Sequence, residues 1–377
     1  MLLRIPDFYD SFHCIGSKCP DNCCIGWELD IDDDTYEYYR SVEGPFGDRL
    51  RANMQGAEES SDSGAGSFHL QVNGRCPFLN ESNLCDICLE LGPDALCRIC
   101  TDYPRYSFEW GDIIEKSLTL SCPEAERLLF LNDIPVRFKE IPLNETGLAT
   151  YMTEEAYEEM GCQEYEEDAD DDLYCNEDEA SVNGQETAPD EFEEDPEQIR
   201  KISLIRTECI RLLQDRSLSL DERIERYMRL CRTPDFSLTL SERLEMLSGM
   251  EILNDRWTAV MKDLEEKFAS DEVFYRYSLH SYLASDDFRK YAYTYEHLLV
   301  YFTFRYFPRA AYDYDLPQKA RFVFFCYLVI RDMDALRYAD RGAFTFADRI
   351  ETVKDFSKQV EHSDYNIDYL MEELLFS

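Results

Sequence analysis

Histidine is scarce in this 377-residue chain, with five in all, tryptophan is scarcer still at three, and 38 basic residues face 79 acidic ones, a net charge of −41. So few imidazoles leave little from which to build a His-rich catalytic metal site or a nucleophile–base pair. The shortage of Lys and Arg excludes a broad nucleic-acid surface, which needs clustered cations to meet phosphates, and it favours positively charged partners. Long apolar runs are missing too: the longest, FVFFCYLVI at 322–330, is far short of the ~20 residues that span a bilayer and reads as a buried helix. The opening MLLRIPDFYD carries Arg4, Asp7 and Asp10 where a secretory signal needs an uninterrupted apolar stretch, so a cytoplasmic protein with no membrane part is expected. There is no G-x-x-x-x-G-K-[ST] loop, no H-E-x-x-H and no G-x-S-x-G, and the G-x-G at Gly64 to Gly66 follows no strand.

Cysteine is the opposite case, at 15 residues. In a reducing compartment such a number points to metal ligands or redox groups rather than disulfides. Cys162, Cys175, Cys209, Cys231 and Cys326 are scattered singly and read as ordinary thiols, whereas the other ten fall between Cys14 and Cys122. One group is C-x4-C-x3-CC, formed by Cys14, Cys19, Cys23 and Cys24. A second spreads over GRCPFLNESNLCDICLELGPDALCRICTDYPR and contains two C-x-x-C pairs, Cys85 with Cys88 and Cys97 with Cys100. A C-x-x-C turn brings two sulfurs to one metal, and two such turns complete either a tetrahedral zinc site or an iron–sulfur site. Prolines follow Cys19, Cys76 and Cys122 and restrict each to extended or turn conformations, as suits a ligand on a rigid loop. With only His13 and His69 nearby, sulfur dominates, which favours zinc or iron–sulfur over magnesium or calcium.

From Glu154 to Glu197 the chain has 21 acidic residues and no Lys or Arg, a block expected to be disordered. The chain therefore divides into a Cys-rich α+β region over 1–150, an acidic linker or insertion over 151–196 and a helical domain over 197–377, a mainly α protein. A Gly- and Ser-rich loop, QGAEESSDSGAG at 55–66, is expected to connect two halves of the metal region. Trp27, Leu29 and Ile31 alternate with acids as a short strand does, and Asp32 to Thr35 offer a helix N-cap. Leu118 and Leu120 alternate before Pro123, which places Cys122 at a helix N-cap where the positive end of the helix favours thiolate. Ile202, Ile205, Cys209, Leu212 and Leu213 mark one helical face, and Tyr291, Tyr295, Leu298, Leu299 and Phe302 another. The many aromatics from 274 to 327 are expected in the core rather than in a substrate pocket.

In order along the chain, PDFYDSFHCIGSKCPDNCCIGWELDID, CPFLNESNLCDICLELG, LCRICTDYPR and EKSLTLSCPEAERLL resemble the flagellin lysine-N-methylase (FliB) family, itself similar to small CxxCxxCC metal-chelating proteins. The likeness covers residues 1 to about 130 and is weaker in YEHLLVYFTFRYF and RFVFFCYLVIRDM. It implies transfer of methyl groups from S-adenosylmethionine to lysine ε-amines of flagellin or another lysine-bearing protein, with a 4Fe–4S cluster, zinc being the alternative metal. The matching cysteines are Cys14, Cys19, Cys23, Cys24, Cys76, Cys85, Cys100 and Cys122. Eight exceed the four thiolates of one cluster, so either a second metal is bound or some of them support rather than ligate. Cys88 and Cys97 depart from the family pattern, which leaves the double C-x-x-C as an accident of this chain. Adjacency to Cys100 makes Tyr103 the catalytic candidate and Arg105 the candidate partner of the cofactor carboxylate. The spacing is not the C-x3-C-x2-C of radical enzymes, and no glycine-rich cofactor loop is visible. The competing reading is a non-enzymatic iron- or zinc-chelating protein with a helical partner-binding domain. A monomer is expected in either case.

Overall fold

The computed structural model describes residues 1–26, 29–56, 66–72, 74–143, 185–186 and 195–375. The chain enters through strand β1 (Leu2–Pro6), passes the Cys14–Cys24 loop, and forms β2 (Asp30–Ile31), α1 (Asp33–Ser41), α2 (Gly44–Ala52), β3 (Met54–Gly56) and β4 (Gly66–Phe68). Next come α3 (Asp86–Leu91), α4 (Arg98–Asp102), β5 (Arg105–Trp110), β6 (Ile113–Leu118), α5 (Pro123–Leu129), β7 (Phe138–Pro142) and β8 (Gln185–Glu186). The rest is helical: α6 (Pro196–Leu213), α7 (Leu220–Leu230), α8 (Leu240–Ser248), α9 (Asp255–Asp263), α10 (Glu272–Ala284), α11 (Asp286–Tyr291), α12 (Tyr293–Tyr306), α13 (Ala310–Asp313), α14 (Leu316–Arg341), α15 (Phe346–Val360) and α16 (Asp364–Glu373). The mainly α reading of the sequence holds.

Two sheets are present among the described residues. The larger has the order β7-β1-β6-β5-β8, with β1 parallel to β6 and antiparallel to β7, and β5 antiparallel to β6. The smaller, β2-β4-β3, is antiparallel. Strand β5 alternates as a half-buried strand must: Tyr106, Phe108 and Trp110 point into an apolar core that also contains Ile202 and Leu213 of α6, Leu298 and Phe302 of α12, and Phe322 and Val329 of α14. Residues from both sides of position 150 thus share one core. A buried ion pair crosses the same boundary. Glu115 of β6 accepts from Arg206 of α6 at 2.6 Å and from Arg4 of β1 at 2.7 Å, and the Arg206 guanidinium also lies 4.9 Å from the Trp110 ring centroid.

Helix α12 is buried on every side from Thr294 to Tyr306: apolar and aromatic side chains reach round most of it, and its charged ones are paired, Glu296 with Arg216 and Arg223, Arg305 with Glu361. It fixes the end of α5, where Tyr293 donates to the Phe130 carbonyl at 2.8 Å and His297 bonds the Leu129 carbonyl at 2.8 Å. Capping boxes Ser219/Glu222, Thr239/Glu242 and Thr345/Asp348 start α7, α8 and α15.

Several local expectations can be placed. Asp32 caps α1 by accepting from the Thr35 N–H at 3.1 Å. FVFFCYLVI lies inside α14, and every residue of it but Phe324 is buried. The aromatics of 274–327 mostly enter the core, as expected, with Phe274, Tyr277 and Tyr314 left exposed. Trp27 of the expected 27–31 strand lies outside the described residues, and what forms is β2 alone. Most of the expected connecting loop at 55–66 lies outside the described residues, and at its ends Met54–Gly56 pairs antiparallel with Gly66–Phe68. Cys162, Cys175 and most of the acidic block lie outside the described residues. Cys209, Cys231 and Cys326 are buried in the main core, as ordinary thiols would be.

Candidate metal centre

The sulfurs of the N-terminal region sort into two sets. The first is carried by hydrogen-bonded loops around a small separate core that contains Cys76 and Cys97, with Cys24, Cys85 and Cys100 packed against it. The Cys76 N–H donates to the Cys24 carbonyl at 2.8 Å, and Ile25 and Arg75 form an isolated bridge beside them. This pairing turns back at once, since Gly26, at φ +92°, donates to the Gly74 carbonyl at 2.9 Å. Leu79 bridges Cys85 and so closes one tight loop, and the Leu79 N–H donates back to the Cys76 carbonyl at 3.1 Å. Cys97 and Cys100 sit at the start and middle of α4 with sulfurs 3.4 Å apart. Asp32 secures that turn: one carboxylate oxygen caps α1 and the other accepts the Arg98 N–H at 2.8 Å. Cys97 was left out of the sequence-based ligand list, yet it stands with the rest. Its membership of a C-x-x-C pair was the signal. Cys88, on α3, is half-buried next to Cys85.

The second set is Cys14, Cys19, Cys23 and Cys122. Cys14 is exposed, Cys19 and Cys23 are half-buried and Cys122 is buried. Cys122 belongs to a different apolar cluster, with Phe12, Leu118 and Ala125, against which Tyr103 packs. Cys19 is extended (φ −65°, ψ 129°), as a residue before proline should be. Cys23 and Cys24 hydrogen bond through their side chains, so the two sets meet at the vicinal pair.

Backbone N–H groups point at many of these sulfurs: Phe78 and Leu79 at Cys76, Ile87 and Cys88 at Cys85, Glu124 and Ala125 at Cys122. Such donors stabilise thiolates, but burial is the larger effect and pushes both the Cys76 and the Cys122 thiol up to about 12. The α5 N-terminus does favour the Cys122 thiolate, through the Glu124 and Ala125 N–H groups, and burial outweighs it. Cys122 does precede Pro123 at the helix start, but without a metal it stays protonated because its surroundings are apolar. Between Cys97 and Cys100 the shared hydrogen bond lowers the first and raises the second. Among the described residues, no three His, Cys, Asp or Glu side chains are grouped closely enough to hold an ion as they stand.

The helical part reaches this second set through α15 and the turn after it. Lys358 and Lys354 pair with Asp21 at 2.8 and 3.2 Å, two residues from Cys19 and Cys23. His362 Nε2 lies 2.7 Å from Ser121 Oγ, the residue before Cys122. Ser121 Oγ is in turn 3.1 Å from the Tyr103 hydroxyl and 3.2 Å from Thr119 Oγ1, and the Tyr103 ring meets the His362 ring edge-on at 6.1 Å. Burial, with Lys358 and Arg305 nearby, lowers His362 to about 3, so its imidazole is neutral at physiological pH. Burial raises Tyr103 well above the ordinary phenol range. Glu126, one turn into α5, is fully buried, and neither carboxylate oxygen has a hydrogen-bond partner. Its surroundings raise it well above the ordinary carboxyl range, Lys354 and Arg349 notwithstanding. Arg105 is exposed, 5.2 Å from the Phe12 ring centroid, and hydrogen bonds Tyr9. Lys354, Lys358, His362 and Glu126 had no signal in the sequence.

Comparison with known proteins bears on this arrangement. Residues 227–376 match the FliB lysine N-methylase C-terminal domain. Over 129 residues the chain is 32% identical to the flagellar biosynthetic protein FliU of Salmonella muenchen, an alignment covering 34% of this chain and 76% of that protein. The chain belongs to the FliB family. Lysine-N-methylases of Salmonella typhimurium and Salmonella choleraesuis are also 32% identical over 129 residues, 34% of this chain. The chain spans about a third, 32%, of the length of these two. No solved structure matches. Lys354, Lys358 and His362 all lie within the matched FliB domain, which is thus the part that closes over Asp21 and Ser121. No helix among the described residues is long and apolar enough to cross a membrane.

Proposed function

We propose that this FliB-family chain is a cytoplasmic, monomeric protein-lysine N-methyltransferase. It takes methyl groups from S-adenosylmethionine, places them on lysine ε-amines of flagellin, and holds a 4Fe–4S cluster with N-terminal thiols. The family membership carries the reading, supported by the seam at which the FliB domain meets the cysteine loops. The division at 1–150, 151–196 and 197–377 assigns the cluster to the first segment.

The donor set suits a thiolate-bound group: sulfur outnumbers nitrogen, the loops are fixed by backbone hydrogen bonds, and backbone N–H groups face the sulfurs. When bound, the cluster would supply a polarising, Lewis-acidic metal. Methyl transfer itself needs a neutral amine aligned behind the sulfonium methyl, so an ammonium with an ordinary value near ~10.4 must lose a proton. His362, at about 3, is too weak a base to take it, and Glu126 is already protonated. Their neutrality serves another end. His362 fixes the Ser121 hydroxyl, Ser121 fixes the Tyr103 phenol, and Tyr103 offers an uncharged oxygen that orients the amine lone pair. Arg105 is accessible to the cofactor carboxylate. The acidic excess, −41 overall, draws a cationic lysine towards the protein, and solvent receives the proton.

The test is incubation of oxygen-free purified protein with flagellin and isotopically labelled S-adenosylmethionine, read by mass spectrometry of flagellin peptides. Labelled methyl-lysine is expected. Metal-replete protein that neither binds S-adenosylmethionine nor transfers methyl to any lysine substrate returns the chain to the chelating-protein reading.

A further inference from the structure

We infer that the cysteines form two metal centres: an inner one drawing four ligands from Cys24, Cys76, Cys85, Cys97 and Cys100 that holds a single zinc-type ion, and an outer one of Cys14, Cys19, Cys23 and Cys122 that holds the iron–sulfur cluster. The inference rests on the reading that these thiols bind metal, and is independent of methyl transfer.

The separation follows from the packing. The inner sulfurs gather on one apolar core, built from Leu29, Ile31, Tyr39, Phe68 and Phe78, whereas Cys122 lies in another, built from Phe12, Leu118 and Ala125. The inner loops are cross-tied by the Cys76–Cys24, Leu79–Cys85 and Arg98–Asp32 contacts. Nothing in those ties involves Cys14, Cys19 or Cys122. Adjacent in sequence, Cys23 and Cys24 serve the two sides, which gives the vicinal pair a purpose that a single centre would not require.

Metal type follows from spacing and access. Sulfurs bound to one tetrahedral zinc at ~2.3 Å are about 3.8 Å apart, and Cys97 and Cys100 already stand at 3.4 Å. A four-iron cube needs its ligands spread around a much larger body than one ion, wider than the Cys97–Cys100 separation. The outer set has one exposed thiol, Cys14, where the inner set has none, its Cys24, Cys85 and Cys100 being half-buried like Cys19 and Cys23. It also adjoins Lys354, Lys358 and the Tyr103–Ser121–His362 chain, where a reactive group would be used. Neither set is closed as it stands. Protonated thiols have no reason to converge, and a χ1 rotation at each ligand turns the sulfurs inward once an ion replaces the protons.

The full chain, purified without oxygen, is analysed for zinc, iron and acid-labile sulfide, together with Cys97→Ser and Cys122→Ser. Wild type is expected to carry about one zinc and about four iron with four sulfide per chain. Cys97→Ser should lose the zinc and keep iron and the broad visible absorbance, and Cys122→Ser should do the reverse. One kind of metal in the amount of a single centre, parallel loss of both metals in each variant with the circular dichroism of wild type, or iron lost from Cys97→Ser, each overturns the inference. If either variant fails to fold, graded chelation of wild type decides: two separate release phases, one of zinc and one of iron, are expected, and a single coincident phase refutes two centres.

Discussion

Asp21→Asn should loosen the junction between the FliB domain and the outer cysteine loop by about 2 kcal/mol. Asp21 is 20% exposed and pairs with Lys358, 18% exposed, and Lys354, 7% exposed. A fully buried pair that loses one partner costs roughly 3–5 kcal/mol, and a fully exposed one about 0–1. Two contacts of intermediate burial therefore place the loss near 2 kcal/mol, after discounting for solvent at Asp21. Asparagine keeps the shape and the hydrogen bond to the neighbouring backbone but leaves two lysines facing each other. In a chain of this size each kcal/mol moves Tm by about 2 °C, so a drop of roughly 4 °C is expected in calorimetry. The pH dependence has a definite sign. Both lysines hold Asp21 below the ordinary carboxylate range, so the stabilisation is fully present above about pH 3.9, the unfolded value. It is lost as pH falls through the lower folded value. Wild type and variant should therefore differ by a constant amount from neutrality down to weakly acidic pH and converge only in strong acid. A double-mutant cycle with Lys358→Met isolates the pair, and a coupling of about 1 kcal/mol is expected. Strict additivity, or a difference that vanishes already near neutral pH, would refute the argument.

Three further outcomes are expected. Glu115→Gln should cost roughly 3–5 kcal/mol in denaturant unfolding, because it strips the buried Arg206, 2% exposed, of its counter-ion; a loss below about 1 kcal/mol would mean that the sheet and α6 do not depend on this pair. Glu126→Gln should be neutral or stabilising at pH 8, because the raised folded value makes wild type lose stability as pH rises above the unfolded value near ~4.3; a Tm that tracks wild type at every pH from 5 to 9 contradicts this. Tyr103→Phe should cost about 1 kcal/mol of stability through the lost bond to Ser121, while lowering kcat of labelled methyl transfer with little change in KM for flagellin; an unchanged kcat removes Tyr103 from the site.

Much of the fold could be read from local pattern. Asp32 before the run at 33–40 and Pro123 after Cys122 each state a helix start within four residues, and each is where a helix begins. The FVFFCYLVI run read as a buried helix, and all of it but Phe324 is buried. Where pattern failed, the missing information was distant. The ends of the 55–66 stretch pair with each other because Leu29 and Asn53 supply the hydrogen-bonding frame at Phe68 and His69, which the Gly- and Ser-rich composition does not show. Cys122 has the helix N-terminus foreseen for it but remains a thiol, since the burial that overrides the helix comes from Phe12, Leu118 and Tyr103.

By itself the sequence determined that ten thiols lie within the first 122 residues, that sulfur far outnumbers imidazole there, and that helices make up the C-terminal half. Those properties follow from residue type and short-range periodicity. Tertiary structure alone decided that the Cys97–Cys100 pair stands beside Cys76, that Cys23 and Cys24 face different neighbours, and that Lys354, Lys358 and His362 close over the cysteine loop. His362 meets Ser121 across 241 positions of chain, and a contact of that span leaves no local signature, because it exists only once α5 and α15 have packed.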